Sequence, residues 1–379
     1  MGLKIKGAFK PGIWHNMRFG VRSSAAIIKA NRNFTLAIET QKLYASGNNF
    51  YGQLGTPLKY KTTDKQDNVV ITEDARKVDC GLYHSAYIDT SGVLWTAGYN
   101  RYGQLGVAEN VDTDDGISSW QDTGIEDAVD VACGDYHTLV LLKNGDLYSA
   151  GQNLMGQCGT GSTSEAITSF TKVKSSVKAI AAGQHHTLII DNTSTAFGIG
   201  YNRYGQLGTE ENHGTDTPVT TWQQFGTGAS VIACGSNHSF ITKDNVAYGF
   251  GHNYYQQLGT DETAGTNTGI FIPSAIAVGT VTKIECSSSG TMLMTGSGEV
   301  WRCGYNEQNQ MGHNAQETLP LSKVVSKDAA SIGMGTRHGF WVHTDGTIYV
   351  SGENNYYQCF AQDNSSYSIF TPIGKLENI

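Results

Sequence analysis

Apolar and polar residues alternate along this chain in short segments that are separated by tight turns. The segment HTLVLL leads through Asn144-Gly145 into LYSAG, and similar turns occur at Ser91-Gly92 and Asp345-Gly346. Such pairs between apolar runs are typical of two-residue β-hairpin turns. No segment shows a convincing run of the 3.6-residue apolar period that indicates a helix. The pattern therefore predicts short β-strands joined by tight turns.

A nine-residue word of the type GYNRYGQLG recurs along the chain. Each copy follows a strand–turn–strand segment, such as VACGDYHTLVLLKNGDLYSAG, which ends at Gly151. A period of about fifty residues built from several short strands indicates radially repeated sheets, as in a β-propeller. The seven copies begin at Gly47, Gly98, Gly151, Gly200, Gly251, Gly304 and Gly352, with steps of 51, 53, 49, 51, 53 and 48 residues.

Two polar positions of the repeat word never vary. The third residue is always Asn and the seventh is always Gln, and both side chains carry hydrogen-bond donors and acceptors. We expect them to tie a Gly-rich turn to neighbouring backbone. These structural residues are Asn49, Asn100, Asn153, Asn202, Asn253, Asn306 and Asn354, with Gln53, Gln104, Gln157, Gln206, Gln257, Gln310 and Gln358.

The two chain ends predict how the ring closes. The tail at 368–379 resembles the outer part of a repeat, and the head at 25–47 resembles the inner part. We therefore predict an all-β, seven-bladed propeller in which the N- and C-terminal segments pair in one blade, which removes free sheet edges. The predicted domains are a basic N-terminal arm at 1–22 and the propeller at 23–379.

The repeat word and the preceding C/A-G-x-x-H resemble the repeat of the regulator of chromosome condensation family, the RCC1-like seven-bladed propellers. The resemblance covers nearly the whole chain from about residue 23. Copies five to seven depart from it, because Gln256, Asn309 and Tyr357 replace the Gly before Gln, and Phe360 replaces the last Gly. The resemblance implies the seven-bladed fold and, as an activity of the founding member, guanine-nucleotide exchange on a small GTPase.

Five histidines share one position of the repeat, and Asn33 and Gly290 fill that position in the other two copies. Metal ligands must lie within about 2–2.3 Å of one ion, whereas equivalent positions on different blades are spread around a ring. We therefore expect no metal site, and structural histidines that bond backbone within their own blade. They are His84, His137, His186, His238 and His338.

The sequence predicts neither a cofactor nor an enzyme. None of the seven cysteines forms a CxxC pair, and their repeat positions suit small buried hydrophobic residues. No nucleophile with a base and an orienting acid is visible. No apolar run is long enough for a signal peptide or a membrane span, so we expect cytoplasmic synthesis and leave the compartment open.

Two groups of residues are candidates for a partner surface on the ring. Five tyrosines share a position in the word and either form an aromatic ring on one face or pack between blades: Tyr51, Tyr102, Tyr204, Tyr255 and Tyr356. The loops that follow the word at 108–120 and 209–217 are expected on the same face, where loops on a rigid scaffold often carry function. Their candidate binding residues are Asp112, Asp114, Asp115, Trp120, Glu210 and Glu211.

The N-terminal arm has a charge opposite to that of the rest of the chain. Residues 1–38 hold seven basic and no acidic residues, although the formal net charge of the chain is -8. An arm with interleaved aromatic residues suits docking into a protein partner, with packing on its own propeller and nucleic-acid binding as the alternatives. Its candidate contacts are Lys4, Lys6, Lys10, Trp14, Arg18 and Arg22.

Three functions remain open on the sequence. The first is a non-enzymatic scaffold that docks through its arm into a larger assembly, such as a virus or phage particle; the opening KIKGAFKPGIW resembles the starts of some phage structural proteins. The second is guanine-nucleotide exchange, whose specific contacts do not map onto this chain residue by residue. The third is a propeller-type protein inhibitor of an enzyme. Fold alone does not choose among them.

Overall fold

The computed structural model describes residues 25–56, 69–314, 317–361 and 363–378. Within these residues the chain forms seven four-stranded antiparallel sheets, here called blades 1 to 7. Blades 1 to 4 comprise β1 Ile27–Ala30, β2 Phe34–Glu39, β3 Lys42–Gly47 and β4 Val69–Thr72; β5 Ala75–Cys80, β6 His84–Asp89, β7 Leu94–Tyr99 and β8 Gly116–Asp122; β9 Ala128–Cys133, β10 His137–Leu142, β11 Leu147–Asn153 and β12 Ser164–Lys174; and β13 Val177–Ala182, β14 His186–Asp191, β15 Thr195–Gly200 and β16 Val219–Thr227.

Blades 5 to 7 repeat the same order of four strands, and a short 3-10 turn at Leu376–Asn378 follows the last strand. Their strands are β17 Ala229–Cys234, β18 His238–Lys243, β19 Val246–His252 and β20 Gly269–Ile276; β21 Val281–Cys286, β22 Gly290–Thr295, β23 Val300–Tyr305 and β24 Thr318–Val325; and β25 Ala329–Met334, β26 His338–His343, β27 Ile348–Gly352 and β28 Tyr367–Gly374.

The first strand of each blade lines the axis of the ring. These inner strands contact one another in chain order, and β25 of blade 7 contacts β1 of blade 1, so the ring is closed. The prediction of an all-β, seven-bladed propeller is confirmed. Among the described residues, no helix reaches the length and apolar character that a membrane span requires.

The predicted pairing of both chain ends in one blade is wrong for the described part of the chain. The tail pairs with the strand just before it, with Tyr349 opposite Pro372, and the head forms the first three strands of blade 1. The repeat word lies between the third and fourth strands of the same blade. Head and tail therefore complete two different blades, and no sheet in the described residues combines strands from both ends.

Face-to-face packing between neighbouring blades holds the ring together. Blades 7 and 1 share an apolar layer in which Ile28 and Ala37 pack with Phe340 and Val350, all of them buried. Blades 1 and 2 share a similar layer. The last contact of the ring is thus of the same apolar kind as the contacts between blades that are adjacent in sequence, and burial of such side chains is the main favourable term in folding.

The residues that replace glycines of the family pattern in blades 5 to 7 keep the positive φ of those glycines. Gln256, Asn309 and Tyr357 have φ of 61, 59 and 63°, against 75° for Gly103 at the equivalent position. Phe360, in place of the last Gly, has φ of 57°. Non-Gly residues in this left-handed region carry a conformational cost of about 1–2 kcal/mol. The turns of blades 5 to 7 therefore have the same backbone conformation as the glycine-containing turns and carry more backbone strain than those turns.

Candidate functional site

The repeat words lie together on one face of the ring. In every blade the connections from the first to the second strand and from the third to the fourth strand emerge at the same end of the sheet, because successive strands are antiparallel. We call this end the word face, and the opposite end, which carries the two-residue turns, the hairpin face. The arm residues Lys4 to Arg22 lie outside the described residues.

The invariant Asn and Gln fold the word into a compact turn. In blade 2, the Asn100 Oδ1 accepts a hydrogen bond from the Leu105 amide at 2.9 Å, and its Nδ2 donates to the Val107 carbonyl at 2.9 Å. The Gln104 Oε1 accepts from the Tyr102 amide at 3.0 Å. The same amide-to-side-chain bonds recur in the other blades, and all fourteen side chains are buried.

Each repeat histidine forms a hydrogen bond with a hydroxyl group of the next blade. The prediction that these histidines bond backbone within their own blade is therefore wrong. The Nε2 of His84 lies 2.9 Å from the Thr138 hydroxyl, which in turn donates to the Gln104 carbonyl at 2.7 Å. Because that hydroxyl proton is used, the imidazole must donate from Nε2. The other pairs are His137–Thr187 at 3.1 Å, His186–Ser239 at 2.8 Å, His238–Thr291 at 3.0 Å and His338–Thr35 at 2.7 Å.

The pair His338–Thr35 joins blade 7 to blade 1, whereas blades 1 and 6 have no histidine at this position and make no such bond to the next blade. In blade 1 the histidine position is occupied by Phe34, since Phe34 pairs with Gly47 as His84 pairs with Gly98. The alignment that placed Asn33 there was one residue out of register. Burial lowers the pKa of all five histidines to about 3, so the rings are neutral.

The tyrosines of the word both pack between blades and line the word face. The ring of Tyr51 lies 5.1 Å from that of Tyr83 and 4.8 Å from that of Tyr99 in the next blade. Tyr102 lies 5.4 Å from Tyr136 of blade 3. All but Tyr99 are partly exposed, so this tyrosine cluster joins three blades and still presents aromatic edges to solvent.

The two identical words build two identical ion-pair motifs. In blade 2, Asp114 accepts hydrogen bonds from Arg101 at 2.7 Å and from the Tyr99 hydroxyl at 3.0 Å, and these bonds hold the pKa of its carboxyl below the usual range. In blade 4, Arg203 and Tyr201 bond Asp216 in the same way, at 2.6 and 2.8 Å. The loops that the sequence placed on one face are thus equivalent in structure.

The predicted loop residues divide between the surface and an interior contact. Asp112, Asp115, Glu210 and Glu211 are exposed on the word face. Trp120 instead lies in the outer strand of blade 2. Its indole packs edge-on to Tyr87, at 4.8 Å between ring centroids, and covers the word of blade 1. Trp120 therefore contributes to the contact between blades 1 and 2. It is not a loop residue, because the loop ends at residue 115 and the strand begins at Gly116.

Sequence reasoning missed three exposed apolar side chains at the fourth position of the word. Phe50, Leu154 and Tyr254 are 57, 49 and 40% exposed, and they alternate around the face with Arg101 and Arg203 at the same position. Exposed apolar groups with a polar rim mark protein interaction sites. Their common repeat position was readable in the sequence, but its variable residue types gave no signal of exposure.

The word face is also strongly acidic. The connections from the third to the fourth strand in blades 2, 4, 5, 6 and 7 hold thirteen acidic residues and two arginines. A surface of one sign attracts oppositely charged partners and raises their association rate. The face therefore combines aromatic and aliphatic anchor points with a negative field.

A cavity of about 400 Å³ runs along the ring axis. Glu285 on its wall bonds Lys29 at 3.1 Å, whereas Asp79 lies 4.0 Å from the same lysine. Burial opposes the charge of Lys29, but Glu285 and Asp79 outweigh it and raise its pKa. Burial raises the pKa of Asp79 to about 6, since the lysine is committed to the nearer Glu285.

The seven cysteines are buried or partly buried. None forms a disulfide, and burial raises the pKa of their thiols, to about 12 for Cys158. Within the described residues, His, Cys, Asp and Glu nowhere form a group of three that could hold a metal ion.

Several proteins share this sequence pattern. The X-linked retinitis pigmentosa GTPase regulator homolog of Caenorhabditis elegans is 23% identical over 84% of this chain and 22% of that protein. The human E3 ubiquitin-protein ligase HERC2 is 27% identical over 83% of this chain and 7% of that protein. The ultraviolet-B receptor UVR8 of Arabidopsis thaliana is 26% identical over 89% and 67%. The chain thus spans only a small part of the first two relatives.

Solved structures share the same fold. Prp20p from Saccharomyces cerevisiae, studied with its binding to Gsp1p and histones, has a TM-score of 0.76 at 18% identity, over 93% of this chain and 88% of its own. Yeast RCC1 (Prp20) bound to Kap60 has 0.75 at 19%, over 99% and 91%. Human WBSCR16 has 0.72 at 17%, over 88% and 93%. A family model described as an RCC1-like domain matches residues 9–278, and the chain therefore belongs to the RCC1-like domain family.

Proposed function

We propose that this chain is a non-enzymatic, protein-binding propeller that docks a partner protein on its word face. The observation that carries the proposal is the set of exposed apolar residues Phe50, Leu154 and Tyr254, which share one repeat position on that face. Interface hot spots are a few aromatic or large residues surrounded by a polar rim. Here the tyrosine cluster and the acidic loops supply that surrounding surface.

The residues that could do chemistry support a binding role. The repeat histidines are neutral, buried and committed to hydroxyl groups of the next blade, so they are not placed to accept a substrate proton. The thiols are held in their protonated form by burial. A catalytic nucleophile needs an accessible, activated group, and neither set of residues provides one.

The relatives support a protein partner as well. Prp20p has been studied for its binding to Gsp1p and histones and has been solved bound to Kap60. The identity to this chain is below 20%, so the shared feature is the propeller itself, and we extend protein binding to this chain as part of the proposal. These relatives offer no support for a virion component.

The proposal is tested by removing the three anchor residues together. The variant Phe50→Ser/Leu154→Ser/Tyr254→Ser should lose the partners that co-purify with the full chain from the cells that naturally produce it. The matched control is Ile272→Ser/Ile369→Ser, which removes apolar side chains that are 66 and 58% exposed on the outer strands. Loss of the same partner from both variants, or from neither, would show that the word face is not the docking surface.

Guanine-nucleotide exchange on a small GTPase is the second candidate function. It is favoured by the C. elegans relative, which is named as a GTPase regulator homolog, and by the binding of Gsp1p by Prp20p. The test is release of a fluorescent GDP from purified Gsp1p at increasing concentrations of this chain. At least tenfold acceleration, lost in the triple word-face variant, is the expected result of exchange; an unchanged rate removes this candidate for that GTPase.

Two sequence-based predictions stay predictions. The first is that the arm at 1–22 docks the propeller into a larger assembly, and deletion of those residues followed by co-purification is its test. The second is inhibition of an enzyme, which needs a named target before it is assayed. Neither depends on the geometry of the word face.

A further inference from the structure

One carboxylate at the mouth of the axial cavity has no cation beside it. Asp135 lies in the connection between β9 and β10 on the word face and lines the cavity. Its side chain interacts with Gln184 of the next blade, and no lysine, arginine or histidine lies within ion-pair distance among the described residues. Burial without a counter-charge raises the pKa of this carboxyl to about 6.

Each of the other carboxylates of the cavity has a lysine within ion-pair distance, although Asp79 lies at 4.0 Å from Lys29, which is closer to Glu285. Glu285 pairs with Lys29 and with Lys283, at 3.1 and 3.2 Å. Asp130 pairs with Lys77 at 3.2 Å. Across the cavity wall the acidic groups thus exceed the lysines by one, and Asp135 is the group that is left over. Asp135 is half-buried and its side chain interacts with Gln184 but with no cation among the described residues, so a cation that reached it would supply the missing counter-charge.

The tyrosine cluster includes the residue that follows this carboxylate in the chain, although no tyrosine is among the described residues that line the cavity. Tyr136, the next residue, packs at 5.4 Å from Tyr102, 6.1 Å from Tyr99 and 6.4 Å from Tyr83, all measured between ring centroids. The faces of such rings attract cationic side chains, by about 0.5–2 kcal/mol depending on exposure. A carboxylate next to tyrosines is therefore a combination suited to a guanidinium or ammonium group.

The charge of the face around the mouth also favours the approach of a positively charged group. The acidic loops described above lie on the same face as the mouth. On this face Arg101, Arg203 and Arg337 are paired with carboxylates, whereas Arg32 is exposed. A negative field of this kind concentrates cationic groups at the face before they dock. The cavity of about 400 Å³ is large enough to receive one long side chain.

We propose that the mouth of the axial cavity receives an arginine or lysine side chain from a basic segment of the partner protein, with Asp135 as its counter-ion and the partly exposed tyrosine cluster on the same face of the ring as a further contact. This inference rests on the proposed docking of a protein on the word face and adds the chemistry of the segment that is recognised. It places the centre of the interface on the ring axis.

The test measures binding of a fluorescein-labelled hexa-arginine peptide to the full chain by fluorescence anisotropy. Asp135→Asn keeps the shape of the side chain and removes its charge, and we expect it to weaken binding about tenfold, the usual scale for losing one hydrogen-bonded charge pair. Glu126→Gln is the matched control, because it removes one charge from an exposed connection on the hairpin face, away from the proposed surface. We expect less than a twofold change from this control.

Three outcomes would overturn the inference: absence of saturable binding, equal weakening by both variants, or binding by Asp135→Asn within twofold of the unmodified chain. Equal weakening would mean that the peptide senses only the total charge of the molecule. Folding of Asp135→Asn is checked by its far-UV circular dichroism and urea midpoint, and Tyr136→Leu provides a second variant that should also weaken binding.

The two proposals fail in different ways. One result is that Asp135→Asn binds hexa-arginine as well as the unmodified chain does, while binding of natural partners still depends on Phe50, Leu154 and Tyr254. The word face then docks a protein by other chemistry, and only this inference is lost. If hexa-arginine depends on Asp135 while the triple variant retains its partners, the cavity binds cations and the wider docking surface lies elsewhere.

Discussion

We expect five buried histidines to make the stability of this ring sensitive to mild acid. Each imidazole donates from Nε2 to a hydroxyl of the next blade and is fully enclosed, and burial lowers its pKa to about 3. In the unfolded chain the pKa of histidine is about 6.5. The unfolded state therefore binds protons between about pH 6.5 and 3 that the folded state excludes, and the stability present above pH 6.5 is lost as the pH falls.

The size of the loss follows from these pKa differences. At pH 5, about 1.5 units below 6.5, each histidine favours unfolding by about 2 kcal/mol, at 1.36 kcal/mol per unit, and the five together by about 10 kcal/mol. Asp79 and Asp135 act in the opposite direction, because burial raises their pKa to about 6 against about 3.9 in the unfolded chain. Their protonation at pH 5 returns about 3 kcal/mol, so the expected net loss is about 7 kcal/mol. This is comparable to the total stability of an ordinary protein, about 5–15 kcal/mol.

The assay is urea unfolding followed by tryptophan fluorescence at several values between pH 7.5 and pH 5. We expect the free energy of unfolding to fall steeply below pH 6.5, and the midpoint urea concentration to fall with it. His137→Gln keeps a side-chain amide donor near Thr187 and should reduce the pH-dependent loss by about 2 kcal/mol. A total loss below about 2 kcal/mol would show that the histidines take up protons in the folded ring, and would refute the reasoning.

Three further predictions concern single positions and are measured by urea unfolding at neutral pH. Gly134→Ala should lower the free energy of unfolding by about 3 kcal/mol, because the new Cβ would lie 2.2 Å from a carbon of the His137 ring. Gly296→Ala is the control: its Cβ would lie 3.6 Å from the nearest atom, and we expect a loss of less than about 1 kcal/mol. Equal losses would contradict the steric argument. Thr35→Val should lower the free energy of unfolding by about 1–3 kcal/mol by leaving a buried histidine donor unpaired, and Thr138→Val should lower it by the same amount, because both hydroxyls accept the same histidine bond between neighbouring blades. A negligible effect of Thr35→Val alone would show that the bond between blades 7 and 1 is not made. Gln256→Gly should raise the stability by about 1 kcal/mol, since its φ of 61° lies in the region that favours glycine, and a loss of stability would mean that its side-chain contacts outweigh the strain.

The sequence predicted the repeat well because its signals are local. The NG and SG turns, the strand patterns and the spacing of the words all act over ranges of a few residues to one period. They were enough to give seven blades, the family, and the buried polar role of residues such as Asn100 and Gln104. The turn bonds of these two residues are made within the word, so no distant partner had to be known.

The closure of the ring could not be read from the same period. A repeat of fifty residues has no marked start, and a word placed between two strands is equally compatible with a blade that begins before it or after it. Only strand pairing fixes this phase, as when Tyr349 pairs with Pro372. The prediction that the chain ends share one blade failed for this reason, although the ring does close.

What the sequence by itself determined is the set of elements and the residues that shape each turn, because these depend on neighbours along the chain. What the tertiary structure decided is every contact that crosses from one blade to another. The hydroxyl that receives the proton of His84 stands 54 positions away, and only the curvature of the ring brings it within 2.9 Å. Likewise Asp130 pairs with Lys77 of the neighbouring blade and Asp135 has no lysine within ion-pair distance in the described part of the chain, because charge pairing depends on positions around the ring axis, which the order of residues along the chain does not give.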